Sequence, residues 1–167
     1  MRLHFEMSSK KFEVGDRRYV VVKKDEIRLF EDGSTKSATF TYPRWAHFVE
    51  QFDEIDQCVA KVAANDADVK LELHIGGGWY VSVTSGFFCV DVRRFYHLPG
   101  TGVRPTKTGI ALRFYEWTRL KAAAAEIRRH HPKIVDAQPC WTRADHFVPE
   151  GAAACSECCP FGDWSLI

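Results

Sequence analysis

An internal repeat constrains this chain more than any other feature. Phe12-Glu13-Val14-Gly15 followed by Arg18-Tyr19-Val20-Val21-Val22 recurs as Leu73-His74-Ile75-Gly76 followed by Trp79-Tyr80-Val81-Ser82-Val83, an offset of 61 residues from Tyr19 to Tyr80. Phe40-Thr41-Tyr42-Pro43-Arg44-Trp45 then aligns with Leu112-Arg113-Phe114-Tyr115-Glu116-Trp117, an offset of 72 from Trp45 to Trp117, so the second copy holds 11 extra residues between the anchors. Self-similarity at this length means that one supersecondary unit is used twice.

Each copy reads as strands followed by a helix. Tyr19 to Lys24, Ile27 to Phe30 and Ala38 to Phe40 are short, β-branched or aromatic runs that favour strands. The period then changes. Thr41 can cap a helix, Pro43 fits its first turn, and Trp45, Phe48, Val49, Phe52, Ile55, Val59 and Val62 form an apolar stripe at spacings of three and four. Trp117, Leu120, Ala124 and Ile127 give a weaker stripe in the second copy. A unit of this size cannot hide such a helix alone, whereas two units packed together can. The expected fold is α+β: two tandem copies, residues 10–64 and 69–131, each a curved antiparallel sheet followed by one amphipathic helix, packed as an intramolecular pseudo-dimer. A Cys-rich tail, residues 132–167, follows.

The net charge of +1 hides an uneven distribution. Residues 10–64 carry ten Lys/Arg and ten Asp/Glu, whereas residues 69–131 carry ten and four, an excess of +6. In the first copy the acids gather on the helix at Glu50, Asp53, Glu54 and Asp56, while Arg17, Arg18, Lys23, Lys24 and Arg28 lie on the strands. In the second, strand 88–96 places Val90 and Val92 on one face and Arg93 and Phe95 on the other, and the extra residues run on through Gly100, Gly102, Arg104 and Lys107 as a projecting arm. Rings beside cations on a sheet suit single-stranded nucleic acid: bases stack on aromatic faces while Lys and Arg track phosphates. A duplex does not offer its base faces.

Val90-Asp91-Val92-Arg93, Pro105-Thr106-Lys107-Thr108-Gly109-Ile110-Ala111-Leu112, Trp117, Gly76 and Tyr80-Val81-Ser82-Val83 together resemble the single-stranded DNA-binding domain of the transcriptional coactivator family of positive cofactor four. Phe12 to Gly15, Arg18 to Val22, Trp45 and Ile55 to Val59 resemble it a second time, so the likeness spans roughly residues 11–130. It implies a curved four-stranded antiparallel sheet and a helix per copy, pairing through the helices, and grooves for single strands. It also implies that Arg93 and Tyr96 stand near the nucleic acid, that Arg104 and Lys107 belong to a basic loop, and that Lys23 replaces an Arg of the second strand. A nuclear, non-enzymatic role follows from the likeness, with single-stranded DNA or RNA as ligand and transcription or repair proteins as partners.

The chain departs from that pattern. Gly77 and Thr84 stand where the family has a Lys and an Arg, and its basic hairpin is shortened to Ser85-Gly86. The first copy lacks the arm, has Asp16 in place of a Lys, and offers Thr35-Lys36-Ser37 where the family has adjacent bases. One good or composite site is therefore expected, strongest in the second half, built from Arg93, Tyr96, Arg104 and Lys107 with Lys23, Lys24, Arg18 and Arg28. The rival reading is a protein-interaction scaffold whose groove has decayed. For the individual cations the bland reading is a solvated basic arm, and for Tyr96 simple packing; Trp45 and Trp117 are expected in the core.

Enzyme chemistry finds no carrier. Lys107-Thr108 lacks the preceding glycine of a phosphate-binding loop, there is no G-x-S-x-G or H-E-x-x-H, and His130-His131 reads as a basic helix end. The start of the chain is charged and lacks an apolar secretory core, so an intracellular location is expected; no membrane segment is expected either, and the assembly is a monomeric pseudo-dimer or a homodimer. In the tail, Cys140, His146, Cys155 and Cys158 form C-x5-H-x8-C-x2-C, four ligands for one structural zinc ion. Cys159 leaves the ligand set ambiguous, and a disordered tail with incidental cysteines is the alternative.

Overall fold

A computed structural model describes residues 10–162. The stretch before Lys10, read above as lacking a secretory core, and the last five residues of the Cys-rich tail lie outside the described residues. Strands β1 (Lys11–Gly15), β2 (Arg18–Val22), β3 (Glu26–Glu31) and β4 (Ser37–Thr41) form one antiparallel sheet in sequential order. Helices α1 (Tyr42–Glu50) and α2 (Phe52–Ala63) follow. A second sheet repeats the order with β5 (Lys70–Gly76), β6 (Trp79–Thr84), β7 (Cys89–Leu98) and β8 (Gly102–Arg113), followed by α3 (Phe114–His130). The fold is α+β, as the periodicities require.

The repeat extends to irregularities. The first hairpin of each sheet is bulged at matched residues, between Glu13 and Gly15 and between His74 and Gly76. Its turn uses a left-handed residue at matched positions too, Arg17 at φ 54° and Gly78 at φ 83°. A bulge costs a ladder bond and sharpens the local twist, so its recurrence marks a bend that both copies need.

One hydrophobic core draws on both halves, among others Val14, Leu29, Phe40 and Trp45 from the first and Ile75, Val81, Val92, Leu112 and Trp117 from the second. Helix α3 reaches across to β1 and β2, α2 reaches to β6, and edge strands β4 and β8 approach each other. Phe48 and Phe52 pack against Trp117 at ring separations of 6.0 and 4.9 Å. The Trp117 indole N–H donates to Asp56 at 2.8 Å, and Lys121 Nζ donates to the same carboxylate. Both repeated tryptophans are buried, as their place on the stripes predicts.

One expectation, a single helix after the first sheet, is corrected. The stripe from Trp45 to Val62 is continuous, but the helix is not: at Gln51 the N–H bonds back three residues to Phe48, a tight turn that separates α1 from α2. The 11 extra residues form the projecting arm as a β-hairpin. They lengthen β7 and β8 into a ladder that continues from Phe95 opposite Pro105 to Leu98 opposite Gly102. The tail is folded too, with short helices α4 (Pro132–Val135) and α5 (Pro149–Ala153) and two 3-10 turns, Cys140–Thr142 and Ala144–Phe147. Among the described residues no helix is long and apolar enough to cross a membrane.

Candidate nucleic-acid interface and metal cluster

Strand alternation divides each sheet into a face that joins the core and an outer face. On the first sheet Phe12, Val14, Val20, Val22, Ile27 and Leu29 point into the core. Lys11, Tyr19, Val21, Arg28 and Phe30 therefore lie on the outer face, where Lys11 pairs with Val21, Val21 with Arg28, and Tyr19 with Phe30. The Tyr19 and Phe30 rings are 5.9 Å apart. Lys11 Nζ sits 5.3 Å from the Tyr19 centroid and 5.8 Å from that of Phe30, and the Arg28 guanidinium is 5.0 Å from Phe30. Each cation over a ring is worth about 0.5–1 kcal/mol at an exposed site. None of these four side chains is fully buried.

Lys23 and Lys24 are exposed at the β2–β3 turn of this sheet, Lys23 lying 3.6 Å from Glu26. Arg28 lies beside a ring, and the turn lysines flank its strand. Arg18 is placed differently. Its side chain, 13% exposed, bonds Glu31 at 3.1 Å and crosses to the second half, where it bonds Glu116 at 3.1 Å and the Ala111 carbonyl. Its charge is held inside the molecule, because Glu116 is only 4% exposed and has no other cation beside it among the described ion pairs.

The second sheet differs. Arg93 lies on the outer face beside Tyr80, but Asp91 grips it with two bonds of 3.0 and 3.1 Å and the Thr106 carbonyl accepts a third of 3.0 Å. The cation expected to lead the site is thus neutralised within its own strand. By matched register the first sheet has Arg28 in the place of Asp91 and Phe30 in the place of Arg93, so no such clamp forms there. Glu72 and Asp91 make the outer face of the second sheet more acidic where the first has Lys11 and Arg28. Tyr80 stacks on Phe95 at 4.6 Å and on His74 at 4.9 Å, and burial holds His74 below its ordinary pKa and raises Tyr80 above its own.

On the extended hairpin Tyr96 is 44% exposed and stands opposite Arg104, which is exposed, as is Lys107. Because Phe95 stacks on Tyr80, alternation puts Tyr96 on the other face of the hairpin from Arg93. The predicted residues therefore form two groups, Lys23, Lys24 and Arg28 on the first sheet and Tyr96, Arg104 and Lys107 on the hairpin. Lys11, Tyr19 and Phe30 were missed. Their signal was present in the alternation of β2 and β3, but only strand register brings Lys11 over both rings.

In the tail the ligand atoms of Cys140, His146, Cys155 and Cys158 all lie within 4.8 Å of one another. Tetrahedral zinc with bonds of about 2.3 Å to sulfur holds its ligand atoms about 3.5–4 Å apart, so this grouping can close on one metal ion. The Cys140 and Cys158 sulfurs, 3.2 Å apart, are too distant for a disulfide, and all six cysteines are free. Cys159 is buried and outside the cluster, which resolves the ambiguity of the fifth thiol.

The cluster has a ligand's supporting contact. His146 Nδ1 lies 2.8 Å from Asp145, whose carboxylate can only accept, so Nδ1 carries a proton and, in the neutral ring that a metal needs, Nε2 offers its lone pair. Nε2 is buried without a hydrogen-bond partner among the described residues. Burial pushes the Cys140 and Cys158 thiols up. Burial acts in the same sense on Cys155, but hydrogen bonds led by the Cys158 backbone N–H outweigh it and bring that thiol down to about 7. A thiol close to ionisation beside an unpartnered imidazole nitrogen is a donor set for a soft cation.

No protein-family model, curated protein or solved structure matches this chain.

Proposed function

We propose that this protein binds single-stranded nucleic acid, DNA in the first instance, through the outer face of its first sheet and the basic hairpin of its second. The observation that carries this reading is the set of Lys11, Tyr19, Arg28 and Phe30, two rings with a cation over each, on a sheet face outside the core. Bases stack on such rings at about 1–3 kcal/mol each, and cations beside them neutralise phosphates. The sequence pointed to the second half as the stronger site. The Asp91 clamp on Arg93 favours the first instead, with Tyr96, Arg104 and Lys107 as a second contact. The shared core and the matched bulges support a single-chain pseudo-dimer. The Cys3His cluster is read as a structural zinc site, since four protein ligands leave no open position for catalysis.

The test is fluorescence polarisation of a labelled single strand of about 20 nucleotides, at low and moderate salt, with the duplex as competitor. Tyr19→Ala and Phe30→Ala each weaken binding about 5- to 150-fold, the equivalent of one lost stacking contact, whereas Arg93→Ala changes it less. Wild-type affinity in both ring variants would overturn the site. A scaffold role is favoured instead by the Asp91–Arg93 clamp and by Phe87 and Phe88, 65% and 57% exposed at the β6–β7 turn. Under that reading no strand binds even at low salt.

A further inference from the structure

The tail meets the body of the protein through residues that its metal-binding loop positions. Trp141, next to Cys140, packs edge-on against His47 of α1 at 4.7 Å. Glu157, between Cys155 and Cys158, holds Arg44 of α1 with two bonds of 2.8 and 2.9 Å. Its backbone carbonyl accepts the Gly77 N–H at 2.9 Å. Phe161, three residues beyond Cys158, lies over Gly78 and 6.1 Å from the His97 ring. Arg44 belongs to the first half and Gly77 to the second, so Glu157 bridges the two.

The repeat explains why a bridge is needed there. At the opposite joint the first turn of α3 supplies Glu116, which lies against Gly15 and bonds Arg18 and the Arg113 N–H. The residue matched to Glu116 in the first copy is Arg44, and the residue matched to Arg18 is Trp79. The second joint thus has an arginine and no acid from either repeat. Glu157 enters at the glycine turn, where a side chain on Gly76 would strike its carboxylate and one on Gly77 would strike Arg44.

Order in this segment has to come from somewhere. Of the described residues from Asp136 onward only Cys159 is a buried hydrophobic residue, so the segment has almost no core of its own. We infer that a metal ion held by Cys140, His146, Cys155 and Cys158 acts as a clasp between the two halves: it fixes Glu157 on Arg44 and Gly77, and metal occupancy sets whether this joint is closed. The inference rests on the zinc reading given above and adds to it a mechanical role. Glu157 is not a ligand. It rides between two ligands, so the metal places it without consuming it.

The experiment compares the full chain loaded with zinc, the same chain stripped by a chelator under reducing conditions, and Glu157→Gln loaded with zinc. Metal content is measured on each sample and backbone hydrogen exchange is followed at residues 76–78 and 44–47. Stripping is expected to speed exchange at Gly77 at least about ten-fold, the size of a local opening that loses one anchored contact. Glu157→Gln is expected to keep one zinc per chain and still speed exchange at Gly77. If the loaded chain retains no zinc, and cobalt gives no tetrahedral absorption, the zinc reading itself fails. If zinc binds but neither stripping nor Glu157→Gln alters exchange at Gly77, the clasp is overturned and the zinc reading stands.

Discussion

Arg18→Met tests whether the arginine of β2 serves the fold or the ligand. In the native protein its side chain is 13% exposed, and that of its partner Glu116 is 4% exposed on the far side of the joint. Removing the cation strands a buried carboxylate whose one other donor among the described residues is the Arg113 N–H at 3.0 Å. It also leaves the Ala111 carbonyl without the Arg18 bond. Breaking a buried pair from one side costs about 3–5 kcal/mol, and the half-open Arg18–Glu31 pair adds at most about 1 kcal/mol. We expect a loss of about 3 kcal/mol in urea unfolding followed by tryptophan fluorescence. For a chain of this size that lowers Tm by roughly 6–12 °C. Arg18→Met/Glu116→Met removes both charges and is expected to recover at least about 1 kcal/mol of the loss, since an apolar pair of similar volume is tolerated where a lone charge is not. The folded single variant binds a labelled single strand as wild type does. An Arg18→Met protein within about 0.5 kcal/mol of wild type, or a double variant as unstable as the sum of the singles, would refute the assignment.

Other predictions address charge, pH and the helix joint. Arg104→Ser and Lys107→Ser each reduce the slope of log affinity against log salt by about 0.7, one phosphate contact on a single strand, read by polarisation across a salt series; unchanged slopes would remove the hairpin from the site. The Arg18 hydrogen bond, helped by Ser34, holds the Glu31 carboxyl below its ordinary value of 4.5. Its contribution is therefore complete above about pH 4.5 and is lost as pH falls through the lower folded value. Acid titration of stability should show less loss below that pH in Glu31→Gln than in wild type. Asp56→Ala leaves the Trp117 indole N–H unpaired and frees Lys121. Because the carboxylate is partly exposed, about 1–2 kcal/mol is expected, measured by urea unfolding.

Much of the fold was legible because its signals are local. β-branched runs give strands, the apolar stripe gives the helices, and the repeat at Tyr19 and Tyr80 shows that the unit occurs twice. The stripe could not show that Gln51 divides it, because α1 and α2 keep the same face inward across the turn. The metal cluster was legible as four residue types at usable spacing. Its irregular intervals, x5 and x8, left a disordered tail open until Cys140 was seen beside Cys158 and His146 beside Asp145.

The proposed binding surface was legible only in part. Sequence placed Arg28, Lys23 and Lys24 on strands of the first sheet and Arg104 and Lys107 on the projecting arm of the second. It could not tell a free cation from a spent one. Arg18, Arg93 and Arg44 look alike in the sequence, yet one is buried against Glu116, one is clamped by Asp91, and one is held by Glu157 from 113 residues away. Periodicity and repetition, which act over a few residues, were determined by the sequence itself. The pairing of distant charges, Arg18 with Glu116 and Arg44 with Glu157, was decided by tertiary structure alone, because such a pair depends on which side chains the fold brings within a few ångströms, and the joint between the halves is not written in any local stretch.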